Sequence, residues 1–503
     1  MLLIKLQKYS GSLPTMSDQQ LVLFALILPL AGAIGILLCG SRPNLRETVS
    51  LTTAATVCLV IVHIYSRFHD GALLAVDIAE PLPGLTIRFE LESLGMLFAL
   101  VASFLWLITS IYAIGYMRGH HELNQTRFYA LFAVAIGSTL GVAFAGNLLT
   151  LFLCYEILTI LTYPLVAHEG TDEARRGARR YIGILLTTSI ALLLLAILIT
   201  YTITGSLDFR EGGILADKLD PAWAGLLYAL FIFGIGKAAV MPVHRWLPAA
   251  MVAPTPVSAL LHAVAVVKAG VFTVLKVTIY IFGTDFIKNS GASDWIIWFA
   301  GGTILLASLV AMTRDNLKLR LAYSTISQLS YVVLGAMLAT NMSLLGGALH
   351  ISMHAFAKIT LFFAAGAILV ATNKSEVSDM GGLGRAMPIT FGAFLIGSLS
   401  IIGLPPFGGM WSKWYLGMGT VETGQWLLLS VLLLSSLLNI AYLLPVPVRG
   451  FFGKSRDGTT YTQVREAPVS CLLAMVITSL ACLLLFFYPE PFYQLALNAA
   501  GGK

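Results

Sequence analysis

Long apolar runs, interrupted at short intervals by clusters of charge, glycine and proline, make up nearly all of the 503-residue chain. A bilayer core takes about 20 apolar residues per helical crossing. On that spacing the pattern predicts fourteen spans, over 21–40, 48–66, 93–116, 128–146, 148–167, 180–204, 222–248, 256–283, 294–313, 317–340, 342–372, 386–417, 424–448 and 468–488. The spans over 256–283, 342–372 and 386–417 are long, so tilt or interruption is expected in them. Only 77–92 (DIAEPLPGLTIRFELE) alternates apolar and polar residues, near its end, which predicts a small extramembrane β-hairpin.

Composition agrees with this pattern. Hydrophobic residues make up 57%, charged residues 11%, and the mean hydropathy is +0.85, whereas soluble domains carry about a quarter charged residues. The fold class expected is an all-α polytopic membrane protein. Residues 1–15 have too short an apolar core for a cleavable signal; 1–20 read as an N-terminal extension, with a natural start at Met16. Residues 21–127 then hold the first three spans and the hairpin, 128–283 spans four to eight, 294–448 spans nine to thirteen, and 468–488 the last.

Charge refines the picture. Seventeen of the 31 Lys and Arg residues fall in loops after odd-numbered spans, Arg175, Arg176, Arg179 and Arg180 among them, against eight on the opposite side. Basic loops stay cytoplasmic, so both termini are expected outside the cytoplasm. No basic soluble face exists for nucleic acid. Cys39, Cys58, Cys154, Cys471 and Cys482 are scattered in apolar runs without CxxC or Cys/His spacing, and no phosphate loop appears. No cofactor or metal is expected, which disfavours a quinone-reducing redox enzyme.

The polar residues inside the spans carry the candidate chemistry, because a charge in the bilayer is costly and faces protein or a wet cavity. Glu156 is the one carboxylate deep in an apolar run. Lys237 lies on span seven, which Pro242 is expected to interrupt. Lys413 follows a second break at GLPPFGGMWSK on span twelve. Breaks in corresponding spans five apart suggest an inverted repeat and mark a transport site. A close Glu156–Lys237 pair would let a proton arriving at one member change the other's proton affinity; the plain alternative is a fixed ion pair. His262 and Lys268 share span eight at a separation suited to a water-bridged relay. His350, His354 and Lys358 recur at i, i+4, i+8 and form one stripe. The His pair could bind a metal, but no HExxH or nearby carboxylate supports it. Lys318 and Asp315 read as an interfacial anchor, with a functional role the alternative, His244 and Arg245 read equally as structural or functional groups, the hydroxyl-rich YSTISQ offers water ligands, and Lys276 reads as interfacial.

GKAAVMPVHRWLPAAMVAPTPVSALLHAVAVVKAG, DNLKLRLAYSTISQLSY, HISMHAFAKITLFFAAGA and GLPPFGGMWSKW together resemble the antiporter-like subunits of respiratory complex I and the related subunits of Mrp-type cation/proton antiporters and membrane-bound hydrogenases. The resemblance implies fourteen spans, two inverted five-helix repeats (spans 4–8 and 9–13) and discontinuous spans 7 and 12. It implies proton movement along an axis through Glu156, Lys237, Lys268 and Lys413, with His262 matching some branches and His350, His354 and Lys358 matching the eleventh-helix polar run. It also implies partner membrane subunits in a hetero-oligomeric complex, protons and possibly sodium as the ions moved, and a bacterial or archaeal plasma membrane. The length suits an Mrp D-type subunit or a hydrogenase homologue, whereas ALLHAVAVVKAG resembles the large-subunit type. A complex I-like redox pump and a proton channel serving inorganic-carbon uptake are the alternatives.

Overall fold

The computed structural model describes residues 16–454, 461 and 464–502; the expected extension over 1–15 lies outside them. In chain order the principal elements are α1 (Asp18–Leu38), α2 (Pro43–His69), β1 (Ala75–Leu82), β2 (Leu85–Glu90), α3 (Ser93–Gly119), α4 (Gln125–Ala143), α5 (Leu148–Val166), α6 (Asp172–Thr204), α7 (Pro221–Gly234) and α8 (Val266–Phe282). They continue with α9 (Ile297–Thr313), α10 (Leu317–Leu338), α11 (Asn341–Thr372), α12 (Pro388–Ile402), α13 (Gly409–Glu422), α14 (Trp426–Leu443), α15 (Val469–Phe487) and α16 (Glu490–Ala499). Local chemistry sets several starts. Ser17 and Gln20 form a reciprocal capping box ahead of α1, Asn147 caps α5, and Asp220 with Pro221 opens α7.

Among the described residues, ten helices are long and apolar enough to cross a membrane, or eleven if the pair Val266–Phe282 and Thr284–Ser290, bent by 80°, is one span. The difference from the expected fourteen has a local cause. The helices α7, α9 and α12 are apolar but under 18 residues, and α7 and α12 stop in mid-stretch at glycines. The short helix α16, after the last span, was not anticipated.

Burial orders the bundle from centre to rim. In α10, α11 and α3, 94%, 78% and 78% of an 18-residue apolar stretch is buried, against 33% in α6 and 39% in α1 and α2. The hub is α11, an unbroken 32-residue helix packed by α3, α8, α10, α12, α13, α15 and α16. Helices apolar all round suit such positions, while the rim presents Ile34, Leu59, Ile160, Leu198 and Leu437 outward.

The hairpin forms as expected, over 75–90. Its strands pair antiparallel and are pinned to the α4–α5 junction: Asn147 Nδ2 donates to the Thr86 carbonyl (2.8 Å), Arg88 N to Thr150 Oγ1 (3.0 Å) and Glu90 N to the Phe144 carbonyl (2.6 Å).

The two interruptions expected from proline and glycine are present, the first earlier than the sequence suggested. α7 stops at Gly234 and is followed by a tight turn over Gly236–Ala238, and Ala239 takes a left-handed φ of 56°. Pro242 would clash with the helical carbonyl four residues back, so a straight helix cannot run through it, and Gly234 and Gly236 make an earlier stop cheap. Trp246 Nε1 holds the Gly236 carbonyl at 2.9 Å. α12 ends at Gly403 (φ 89°), and the chain resumes helix at Gly409. Further irregularities are π-type turns over Leu260–Val264, ahead of α8, over Val277–Phe282 at its end and over Ser189–Leu193 in α6.

Gly270 lets α8 approach the α7 break: a Cβ there would lie 2.4 Å from Ala238 N and Lys237 C. Gly270→Ala is expected to destabilise the fold by about 1–3 kcal/mol, the usual range for overpacking. Gly302→Ala, where a Cβ meets nothing within 4 Å, serves as the control. The check is thermal unfolding of the detergent-solubilised protein; equal melting temperatures would refute the close-approach role.

Candidate functional site

The α7 break delivers Lys237 into the protein interior, where it is fully buried. Its Nζ donates to the Tyr155 carbonyl (2.8 Å) and to Thr159 Oγ1 (2.5 Å), and lies 3.1 Å from the centroid of the Tyr155 ring. Lys237 N donates to Tyr155 Oη at 3.2 Å. The expected Glu156–Lys237 ion pair is therefore not formed. Both Glu156 carboxylate oxygens are shielded and have no hydrogen-bond partner among the described residues. The reason is helical geometry. Tyr155 and Thr159 stand one turn apart on the face of α5 that meets Lys237, while Glu156 is rotated about 100° away from Tyr155.

The other expected residues gather around α11. Lys268 Nζ, on α8, lies 2.6 Å from His354 Nδ1. The His262 side chain is outside the described part of the structure. His354 and His350 stack with ring centroids 5.6 Å apart. His350 Nδ1 lies 2.8 Å from Ser412 Oγ on α13, and its ring stacks on Tyr331 at 5.5 Å. Tyr331 also sits beneath Lys413 Nζ, 5.0 Å from the ring centroid. Lys413 Nζ donates to Ser436 Oγ (3.0 Å) and to the carbonyl of Ile402 (3.2 Å), the last residue before the α12 break. Lys358, one turn beyond His354, donates to Ser324 Oγ at 2.8 Å. Ser324 also accepts from the Tyr442 hydroxyl at 3.0 Å, and that hydroxyl makes a short hydrogen bond to Asn439 Oδ1. Lys268, Lys358, His350 and His354 are all buried.

This arrangement is a line of exchangeable donors and acceptors, Lys268–His354–His350–Ser412, with Lys413 reached through Tyr331 and Lys358 branching toward Ser324. Sequence reading missed Thr159, Tyr155, Ser412, Tyr331 and Ser436. Their only signal is a hydroxyl inside an apolar run, and such groups more often bond their own helix four residues back, as Thr273 and Thr360 do here. Ser324 belongs to the YSTISQ stretch that was flagged.

Lys276 is not interfacial. It is fully buried, with Nζ 3.2 Å from Glu92 Oε1 and 2.6 Å from the Ala145 carbonyl. Asp315 is a loop anchor, accepting from Ser378 N and Oγ. Lys318 Nζ donates to the Ala253 carbonyl at 2.6 Å. His244 is half-buried, its ring centroid 6.4 Å from that of Tyr323, and Arg245 is exposed. In the loop after α5, burial pushes the His168 imidazole down from its ordinary value, and burial with the Glu122 charge pushes the Glu169 carboxyl up. Among the described residues no group of three or more His, Cys, Asp or Glu side chains could hold a metal ion.

Residues 145–439 match the family described as NADH:quinone oxidoreductase/Mrp antiporter, TM. The chain is 36% identical over 352 residues to NADH-quinone oxidoreductase subunit N of Desulforudis audaxviator, covering 69% of each protein. It is 33% identical over 345 residues to NAD(P)H-quinone oxidoreductase chain 5 of a Picosynechococcus species, covering 65% of this chain and 50% of that one. It is 31% identical over 411 residues to a probable K(+)/H(+) antiporter subunit of Rhizobium meliloti, covering 80% and 40%. The matches thus span half or less of the last two relatives. In fold it resembles a chain of the Mrp complex from Dietzia sp. DQ12-45-1b, with a TM-score of 0.85, 23% identity, and 96% and 97% of the two chains covered. A chain of the membrane-bound sulfane sulfur reductase, an archaeal respiratory membrane complex, gives 0.84, 22%, 96% and 97%. The chain described here is a multi-pass membrane protein of the NADH:quinone oxidoreductase/Mrp antiporter transmembrane family.

Proposed function

We propose that the chain is the proton-translocating subunit of a multisubunit Mrp-type cation/proton antiporter. Glu156, Lys237, His262, Lys268, His354, His350, Lys358 and Lys413 form its conducting axis. The observation that carries this reading is the buried Lys268–His354–His350–Ser412 run, in which nitrogens and oxygens of three helices stand at hydrogen-bond or stacking distance. An ammonium 2.6 Å from an imidazole nitrogen can pass one proton to it without either leaving the interior, and imidazole accepts and releases at opposite nitrogens. Glu156, whose oxygens are shielded and without a hydrogen bond, supplies the carboxylate that a proton or a small cation would neutralise near Lys237. The axis runs within fourteen membrane crossings arranged as two inverted five-helix repeats, spans 4–8 and 9–13, with both termini outside the cytoplasm. The resemblance to chains of two membrane complexes supports neighbouring membrane proteins as partners.

A second reading is a proton-pumping component of a complex I-like redox assembly. It is favoured by the 36% identity to a quinone oxidoreductase subunit N. Both readings use the same axis and differ in what drives it.

Glu156→Ala and Lys237→Ala are each expected to abolish cation-driven proton exchange in inverted membrane vesicles while the complex still assembles. Normal exchange by both variants would refute the axis. Reversing the charge of the exposed Arg175, Arg176, Arg179 and Arg180 is expected to disturb topology more than transport. Labelling of a cysteine placed in the turn just before α6, from each side of the membrane, checks this; unchanged sidedness with lost transport would contradict the orientation.

A further inference from the structure

On α8, Lys268, Phe272 and Lys276 recur at i, i+4, i+8 and so form one stripe. Lys268 belongs to the axis. Lys276 lies about 12 Å further along the helix, toward the hairpin. Between them the Phe272 ring is backed by Phe98 of α3 at a centroid distance of 5.1 Å, and Lys276 Nζ sits 5.4 Å from the Phe272 centroid. Beyond Lys276 comes Glu92. Its Oε1 lies 3.2 Å from the ammonium, its Oε2 accepts from the Tyr280 hydroxyl at 2.9 Å, and its side chain is 21% exposed while that of Lys276 is fully buried. Further outward, Glu90 Oε2 pairs with the half-exposed Arg88 at 2.9 Å.

We propose that this stripe is the hairpin-side gate of the conducting axis. Phe272 forms its dry barrier, and the Lys276–Glu92 pair is its outer proton-exchanging station. The inference rests on the axis reading above and adds where the axis opens. A buried ion pair adds little stability over apolar side chains of similar volume, so fastening α8 to the start of α3 does not by itself require charge. The two ends of the pair face different media. Lys276 faces the closed interior through one aromatic ring, and Glu92 faces water at the foot of the hairpin. A proton leaving Lys268 for this face must pass Phe272; as it reaches Lys276, that ammonium hands its own proton to the partly exposed Glu92 carboxylate, which releases it outward. Glu92 also caps α3: Oε1, which meets Lys276, accepts from Gly95 N, and Oε2, which meets Tyr280, accepts from Leu94 N, so the helix start fixes both oxygens in place.

The test uses the native complex in inverted vesicles, with a pH-sensitive dye and an imposed proton gradient. Lys276→Met, similar in volume and uncharged, is expected to lower exchange at least tenfold with assembly unchanged. Glu92→Gln, which keeps an oxygen for the α3 cap, is expected to do the same. Phe272→Ala is expected to let the gradient decay without added cation. Retained exchange in both Lys276→Met and Glu92→Gln, or a gradient held by Phe272→Ala as well as by the unchanged protein, would overturn the gate. The axis itself is read separately. If Lys237→Ala abolishes exchange while Lys276→Met keeps it, the gate is refuted and the axis stands. If Lys276→Met loses exchange while Lys237→Ala keeps it, the axis reading fails and the gate that rests on it falls with it.

Discussion

An ammonium group taken out of water must find oxygen or nitrogen acceptors, and that requirement shapes the whole interior. Lys237, Lys268, Lys276 and Lys358 are fully buried, and each has a partner within 3.2 Å supplied by a different helix or loop. Regular helices offer few such acceptors, because their carbonyls are already spent on the backbone ladder. The chain meets the demand in three ways. It breaks helices, so that Ile402 presents a free carbonyl to Lys413. It ends helices, so that Ala145 and Ala253, in the turns beyond them, present theirs to Lys276 and Lys318. It also places hydroxyls at Thr159, Ser324 and Ser436 inside otherwise apolar spans.

These accommodations explain why glycine and proline concentrate near the lysines. Gly270 lets α8 lie against the turn that carries Lys237, and Gly403 turns the chain at the α12 break. A residue with a Cβ at Gly270 would push the two helices apart and take Lys237 away from Tyr155 and Thr159. Polar function and close packing are thus one arrangement seen from two sides.

The charged members of this interior were legible in the sequence because each interrupts an apolar run at a visible energetic cost. The breaks were legible too, since Pro242 and Gly403–Gly409 have few other uses in a helix; the first was displaced only because Gly234 and Gly236 allow an earlier stop. Partners were not legible. Lys268 meets His354, 86 residues away, and Tyr280 meets Glu92, 188 residues away, and no local spacing encodes such meetings. Lys276 was misread because a lysine near the end of a span resembles one that reaches for the interface. Glu92 was hidden in the alternation of the hairpin. The Glu156–Lys237 contact failed for a subtler reason: Tyr155, one residue earlier, holds the facing position and uses both its carbonyl and its ring.

The hub helix α11 carries His350, His354 and Lys358 on one uninterrupted rod of 32 residues, whereas Lys237 and Lys413 sit beside hinges. A rod without a hinge turns as a unit. Its contacts to Lys268, Ser412 and Ser324 are consequently ganged like the lobes of a camshaft, so that a rotation lengthening one must reset the other two in the same movement.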